Sequence, residues 1–203
     1  TIVMTRLSQG PQVIFEKSMF RSFEIIFALI LLPFIVVVLA PCFIFIVFES
    51  GGPVIFRSKR LGRDKTLFTI YKLRTMTTQA PLMPSSCCSV ACHVTKVGGL
   101  LRSYSLDELP QLFNIINGTM SFVGPRPCLP SEVELVDMRS AYGIFSLRPG
   151  LTGIAQIKGR DSLTIINKVR FENLYLRNRS VILDAKIIIL TIICLFRTGD
   201  ISH

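Results

Sequence analysis

The sequence predicts an α+β, mostly helical fold: an N-terminal membrane helix, a small β-hairpin, and a helical cytosolic domain with interfacial amphipathic helices. Three observations predict it. From Ile25 to Phe48 the chain runs 24 residues without one charge. From Pro53 to Met76, β-branched or aromatic residues alternate with basic ones. Beyond that, Leu109, Leu112, Phe113 and Ile116 stand at helical spacing. The expected division is residues 1–52 for the N-terminal segment and membrane helix, and 53–203 for the cytosolic domain and a C-terminal interfacial helix.

Composition agrees with a membrane-surface protein. Half of the 203 residues are apolar, the mean hydropathy is +0.53, and the formal net charge is +10. A disordered basic tail has too little apolar content to match this. A protein seated on an anionic membrane, or one that handles phosphate-rich ligands, does match it. Six cysteines follow no framework of a small secreted domain, which indicates a reducing compartment.

The apolar run "IIFALILLPFIVVVLAPCFIFIVF" would extend about 36 Å as a helix, enough for a hydrocarbon core of roughly 30 Å. Pro33 and Pro41 lie inside it, and each removes a helical hydrogen bond. Lys17 and Arg21 precede it, balanced by Glu16 and Glu24. Arg57, Lys59, Arg60, Arg63 and Lys65 follow, against Glu49 and Asp64. The positive-inside rule places the C-terminal flank in the cytoplasm and does not expel the N-terminal one. A helix that enters, bends at proline and leaves on the same face satisfies both flanks. A plain spanning helix is the alternative.

Gly62-Arg63-Asp64 supplies the turn of a hairpin between Pro53 and Met76, which carries Lys72 and Arg74 on its second half. No helix-turn-helix or aromatic RNA-binding pattern accompanies the charge, so nucleic acid is not an expected partner. The loop from Gln79 to Ala91 brings Cys87 and Cys88 close to Cys92 and His93. Their spacing is not that of a zinc finger or ribbon, so they read as loop composition.

The stretch "SYSLDELPQLFNIINGT" predicts a helix from Leu106 to Asn117, with Ser105 as N-cap and Gly118 past its end. Ser105 and Glu108 have the spacing of a capping box. The adjacent pair Asp107-Glu108 can instead be a nucleophile and a metal ligand. Glu108 is expected to turn outward, leaving Ser105 as a one-sided cap. The helix start would favour a phosphate and keep Asp107 ionised. Three arginines then sit among rigid turn residues: Arg126 in "GPRP", Arg148 in "RPG", Arg160 in "GR". Arginine suits bidentate phosphate recognition. Near the C-terminus, Ile187 to Phe196 is too short to span, and reads as an interfacial or a buried helix.

Two long motifs, "LLRSYSLDELPQLFNIINGTMSFVGPRP" and "RPGLTGIAQIKGR", supported by "GPVIFRSKRLG" and "IYKLRTM", give the chain a family resemblance. It resembles the monotopic phosphoglycosyl transferases, the bacterial sugar transferase family, from about Phe20 to Phe196, and its length matches the minimal members. The resemblance implies transfer of a phosphosugar from a UDP-sugar to undecaprenyl (polyprenyl) phosphate, releasing UMP. It implies Asp107 as the nucleophile that forms a phosphosugar-aspartate intermediate, and Glu108 as the ligand of Mg²⁺. Lys72, Arg102, Arg126 and Arg160 correspond to the family's important basic residues, and Arg148 joins them as a phosphate-binding candidate. The implied location is the bacterial inner membrane, catalytic domain on the cytoplasmic face, with membrane lipid and later enzymes of the same glycan pathway as partners. The chain departs from the family's usual Ser-Pro break, which would fall near Val37. Glu172 stands where members tend to show Asp, and is a candidate supporting residue. Two rival readings are a metal-dependent phosphohydrolase and a non-enzymatic module for anionic lipid.

Overall fold

The computed structural model describes residues 11–77, 93–159 and 162–196, with side chains described between 21 and 195. Cys87, Cys88, Cys92 and Arg160 therefore lie outside the described residues.

Helix α1 (Pro11–Ser50) contains the whole apolar run and continues through Pro33 and Pro41. From Arg21 to Ser50 it is long and apolar enough to cross a membrane. Most of its apolar surface faces outward: Phe48 is 85 % exposed and Val37 73 %. One stripe does not. Ala28, Leu31, Leu32 and Ile35 pack against Phe68, Ile70, Leu112, Ile115 and Met120. Further along, Leu39, Cys42 and Ile46 pack against Leu73 and Leu101. The helix thus contributes one wall of the core.

Polar contacts fasten α1 to the same globular body at both ends. Arg21 donates to the carbonyls of Ile115 and Met120, and Glu24 accepts from Ser121 Oγ and the Phe122 amide. At the other end, Glu49 accepts from the amides of Lys96 and Val97 at 2.7 and 3.0 Å. Arg74 donates to Ser50 Oγ at 2.8 Å and to the Gly51 carbonyl.

Strands β1 (Ile55–Leu61) and β2 (Leu67–Leu73) form the expected antiparallel hairpin, with Ile55 opposite Leu73 and Leu61 opposite Leu67. Its connection is a short 3-10 turn, Arg63–Lys65, with Asp64 and Lys65 at positive φ. Helix α2 (Lys96–Ser103) starts at Thr95, whose hydroxyl accepts from the Gly98 amide at 2.9 Å.

The helix expected from Leu106 to Asn117 is a 3-10 turn, Leu106–Gln111, followed by a short α3 (Leu112–Ile116). Pro110 has no N–H for an α-helical bond, which favours the tighter turn. Asn114, fully buried in α3, donates to the Thr69 carbonyl and accepts from the Tyr71 amide. That side chain locks α3 onto β2.

Strands β3 (Ser121–Val123) and β4 (Gly150–Thr152) pair in parallel, a feature the sequence did not announce. Gly124 and Gly150 cross so closely that a Cβ on Gly150 would lie 2.1 Å from the Gly124 nitrogen. Helices α4 (Val133–Ala141), α5 (Ile154–Ile157), α6 (Ile165–Asn178) and α7 (Val181–Phe196) complete the body. Helix α7 is about 24 Å long, short of a bilayer core. One side of it is buried and the other is exposed. Ile187 is buried against Val123, Leu147 and Tyr175, while Ile182, Ile189 and Ile193 are exposed.

Candidate active site

The site forms where the 3-10 turn after α2 meets the hairpin and the loop after β3. Asp107 and Glu108 are both buried, each 7 % exposed. Period two along β2 puts Lys72 on the face shared by Phe68 and Ile70, which turns toward this pair. Lys72 Nζ donates to Glu108 Oε1 at 2.7 Å. Arg126, held between Pro125 and Pro127, donates to the same oxygen at 3.0 Å. Arg102 leaves the end of α2, anchors its Nε on Thr75 Oγ1 at 2.9 Å, and acts on Asp107 through its charge.

Glu108 therefore turns outward, toward cations, as expected. The capping box is not formed. Ser105 N–H donates instead to the Arg102 carbonyl, and the Ser105 side chain does not cap the turn. The expected one-sided cap is corrected for a physical reason. Ser105 adopts the left-handed conformation (φ 54°, ψ 23°), and an N-cap residue needs extended backbone.

The helix start expected to favour an ionised Asp107 is a short 3-10 turn instead. The turn is short, and the Glu108 amide already donates to the Ser105 carbonyl at 3.2 Å. Burial pushes the Asp107 carboxyl above its ordinary range, and the adjacent Glu108 adds to that. Lys72 most, then Arg102 and Arg126, pull it down. Among the charged side chains, Lys72, Arg102 and Arg126 are what favour the carboxylate here.

Arg60 is a site residue that the sequence reading did not single out. It pairs with Phe68 in the hairpin, so it shares the Lys72 face. Its charge is felt alongside Glu132, Arg126, Cys128 and Glu108, and burial lowers its pKa. Its Nε is buried without a hydrogen-bond partner among the described residues. Hairpin register was the signal that could have found it: of the many basic residues there, few share a face with Lys72.

Arg148 is not brought to Asp107. Its charged neighbours are Arg21, Arg63, Glu24 and Arg179. Glu172 lies in α6, where it forms a fully buried, two-pronged ion pair with Arg139 of α4, including Arg139 Nε to Oε2 at 2.8 Å. It thus supports the fold behind the site, beside Cys128 and the Arg126 loop.

The donor set fits a magnesium ion. It offers hard carboxylate oxygens and no soft ligand, and no cluster of three or more His, Cys, Asp or Glu occurs among the described residues. Magnesium takes few protein carboxylates and fills its other positions with phosphate oxygens and water. Glu108, with Asp107 beside it, supplies that minimal set. The arrangement can hold a diphosphate against four cationic side chains and present a carboxylate to it.

Comparison with known proteins covers the same part of the chain. Residues 15–198 match the family described as bacterial sugar transferase. The exopolysaccharide production protein ExoY of Sinorhizobium fredii is 36 % identical, over 87 % of this chain and 86 % of its own length. The UDP-glucose:undecaprenyl-phosphate glucose-1-phosphate transferase of Klebsiella pneumoniae is 43 % identical, over 70 % of this chain and 32 % of its own. The undecaprenyl-phosphate galactose phosphotransferase of Salmonella typhimurium is 33 % identical, over 78 % and 36 %. The buried Asp107-Glu108 pair, its basic frame and a match over nearly the whole chain lead to one conclusion: this protein belongs to the bacterial sugar transferase family.

Proposed function

We propose that the protein transfers a phosphosugar from a UDP-sugar to undecaprenyl phosphate and releases UMP, as the first membrane step of bacterial glycan assembly. The observation that carries this reading is Asp107 and Glu108, buried side by side and framed by Lys72, Arg102 and Arg126. Two relatives named as undecaprenyl-phosphate sugar phosphotransferases support the class of donor and acceptor.

In the first step, an Asp107 carboxylate oxygen attacks the phosphorus that bears the sugar. The bond from that phosphorus to the UMP oxygen breaks, and UMP leaves with the electron pair. The phosphosugar remains on Asp107 as an acyl phosphate. In the second step, an oxygen of undecaprenyl phosphate attacks the same phosphorus, and Asp107 is released as a carboxylate. Covalent catalysis of this kind splits one hard displacement into two easier ones. Lys72, Arg126 and Arg60 would balance charge on the phosphate oxygens, and Lys72 with Arg102 would favour the ionised form of Asp107 against its burial. Magnesium, held by Glu108 and substrate oxygens, would supply neutralisation of the diphosphate.

The acceptor is a membrane lipid, and α1 supports an enzyme that meets it there. The two ends of its apolar run are fastened to one globular body, by Arg21 and Glu24 on one side and by Glu49 and Ser50 on the other. A helix that crosses a bilayer would drag the polar surface between those ends through hydrocarbon. We therefore read α1 as re-entrant, with the catalytic body on the cytoplasmic face of the bacterial inner membrane. Pro33 and Pro41 are the places where it would bend.

The test is UMP release across a panel of UDP-sugars, with and without undecaprenyl phosphate and Mg²⁺. Lipid-dependent release is the expected result, and chelation of Mg²⁺ should abolish it. Lipid-independent turnover would indicate the phosphohydrolase, and no turnover across the panel the lipid-binding module. Asp107→Asn should lose both transfer and the covalent species seen by mass spectrometry. Wild-type activity in that variant would sink the nucleophile assignment.

A further inference from the structure

Arg148 sits in a second basic cluster, built from four separate segments. The Ser121 amide donates to the Pro149 carbonyl at 2.9 Å, which sets Arg148 beside the β3 start. Arg21 and Glu24 of α1 hold that same start, through Met120, Ser121 and Phe122. The Arg63–Lys65 turn packs on the segment just before Arg148, with Lys65 Nζ 5.8 Å from the Phe145 ring centre. Arg179, at the corner between α6 and α7, lies by Tyr175 and Asp184, and Tyr175 Oη reaches the Val123 carbonyl at 3.3 Å.

The carboxylates in this cluster are already engaged. Glu24 accepts from Arg21, Ser121 and Phe122; Asp64 pairs with Arg63 at 3.4 Å; Asp184 accepts from Tyr175 at 2.7 Å. Arg148 is half-buried and makes no hydrogen bond or ion pair among the described residues. The charges of Arg21, Arg63 and Arg179 act against its own, and that of Glu24 acts with it. A half-buried cation with like-charged neighbours and no acceptor costs stability unless an anion arrives from outside.

The place of the cluster says where that anion comes from. Arg21 lies four residues before the apolar run of α1, and Arg179 lies two residues before Val181, which with Ile182 is exposed at the start of α7. The guanidinium groups therefore border two outward apolar faces at once. We propose that Arg21, Arg63, Arg148 and Arg179 form a phosphate-binding site at the membrane boundary, separate from the Asp107-Glu108 centre, which takes the phosphate of a lipid headgroup. The proposal rests on α1 lying in the membrane. Arginine suits it, because its planar fork meets phosphate oxygens in pairs.

The test uses the full chain in mixed nanodiscs of phosphatidylcholine with one-tenth phosphatidylglycerol. Lipids retained after transfer to neutral detergent are identified by native mass spectrometry. Phosphatidylglycerol should be retained over phosphatidylcholine, and Arg148→Gln should reduce that retention about tenfold. Arg63, on an exposed turn, gives a second variant that does not threaten the fold, and Arg63→Gln should act in the same direction. Asp107→Asn should retain the lipid as the wild type does, which separates this site from the proposed reaction. Equal retention by the wild type and both arginine variants would overturn the proposal. Saturation by inorganic phosphate, with no preference for the anionic lipid, would overturn the headgroup as its source.

Discussion

Ser105 occupies left-handed backbone one residue before the 3-10 turn that presents Asp107. A β-branched residue tolerates that region poorly, and glycine takes it freely. Ser105→Gly should therefore keep the melting temperature near that of the wild type, and Ser105→Val should lower it measurably in a thermal shift assay. Arg60 makes a second residue-scale prediction. Its buried, unpartnered Nε and its place on the Lys72 face suit a donor phosphate. Arg60→Gln should raise KM for the UDP-sugar about tenfold, the loss expected for one hydrogen bond to a charged group. An unchanged KM would remove Arg60 from the site. The grouping of Lys72, Arg102 and Arg126 about Asp107 and Glu108 was legible where charge and rigid backbone coincide. The place of Arg148 was not, because "RPG" fixes a backbone turn and says nothing about which cluster the long side chain joins.

Among the elements, the Arg139–Glu172 pair joins α4 to α6 and is buried on both sides. Removing one partner leaves an uncompensated charge in the interior. Glu172→Gln should cost about 3–5 kcal/mol of stability, read by denaturant unfolding. The paired replacement Arg139→Met with Glu172→Leu should cost less, because neither charge remains. Gly150→Ala belongs to the same scale. Its Cβ would meet the Gly124 backbone, so β3 and β4 would separate and the Arg126 loop with them. The hairpin was legible because its alternation and turn residues lie within one short stretch. The parallel β3–β4 pair was not, since three-residue strands far apart in sequence carry no period to read. The region after Ser105 read as a helix from its apolar stripe, and Pro110 tightened its start into a 3-10 turn.

For the whole molecule, topology is the open measurement. In a background without reactive native cysteines, Thr5→Cys and Asp200→Cys should react with a membrane-impermeant thiol reagent from the same side. Labelling from opposite sides would make α1 a spanning helix. The apolar run itself was plain in the sequence. What composition could not convey is that one stripe of that run belongs to the core, because a stripe is defined by what packs on it. The contact of Glu49 with the first amides of α2 has a practical corollary. Helix α2 carries Arg102, so α1 and a group that acts on Asp107 share one rigid joint. Cutting off α1 to obtain a soluble fragment would bare Leu73, Leu101 and Ile115 and release that joint. Such a fragment should precipitate or lose its activity, and purification must carry α1 along with the chemistry.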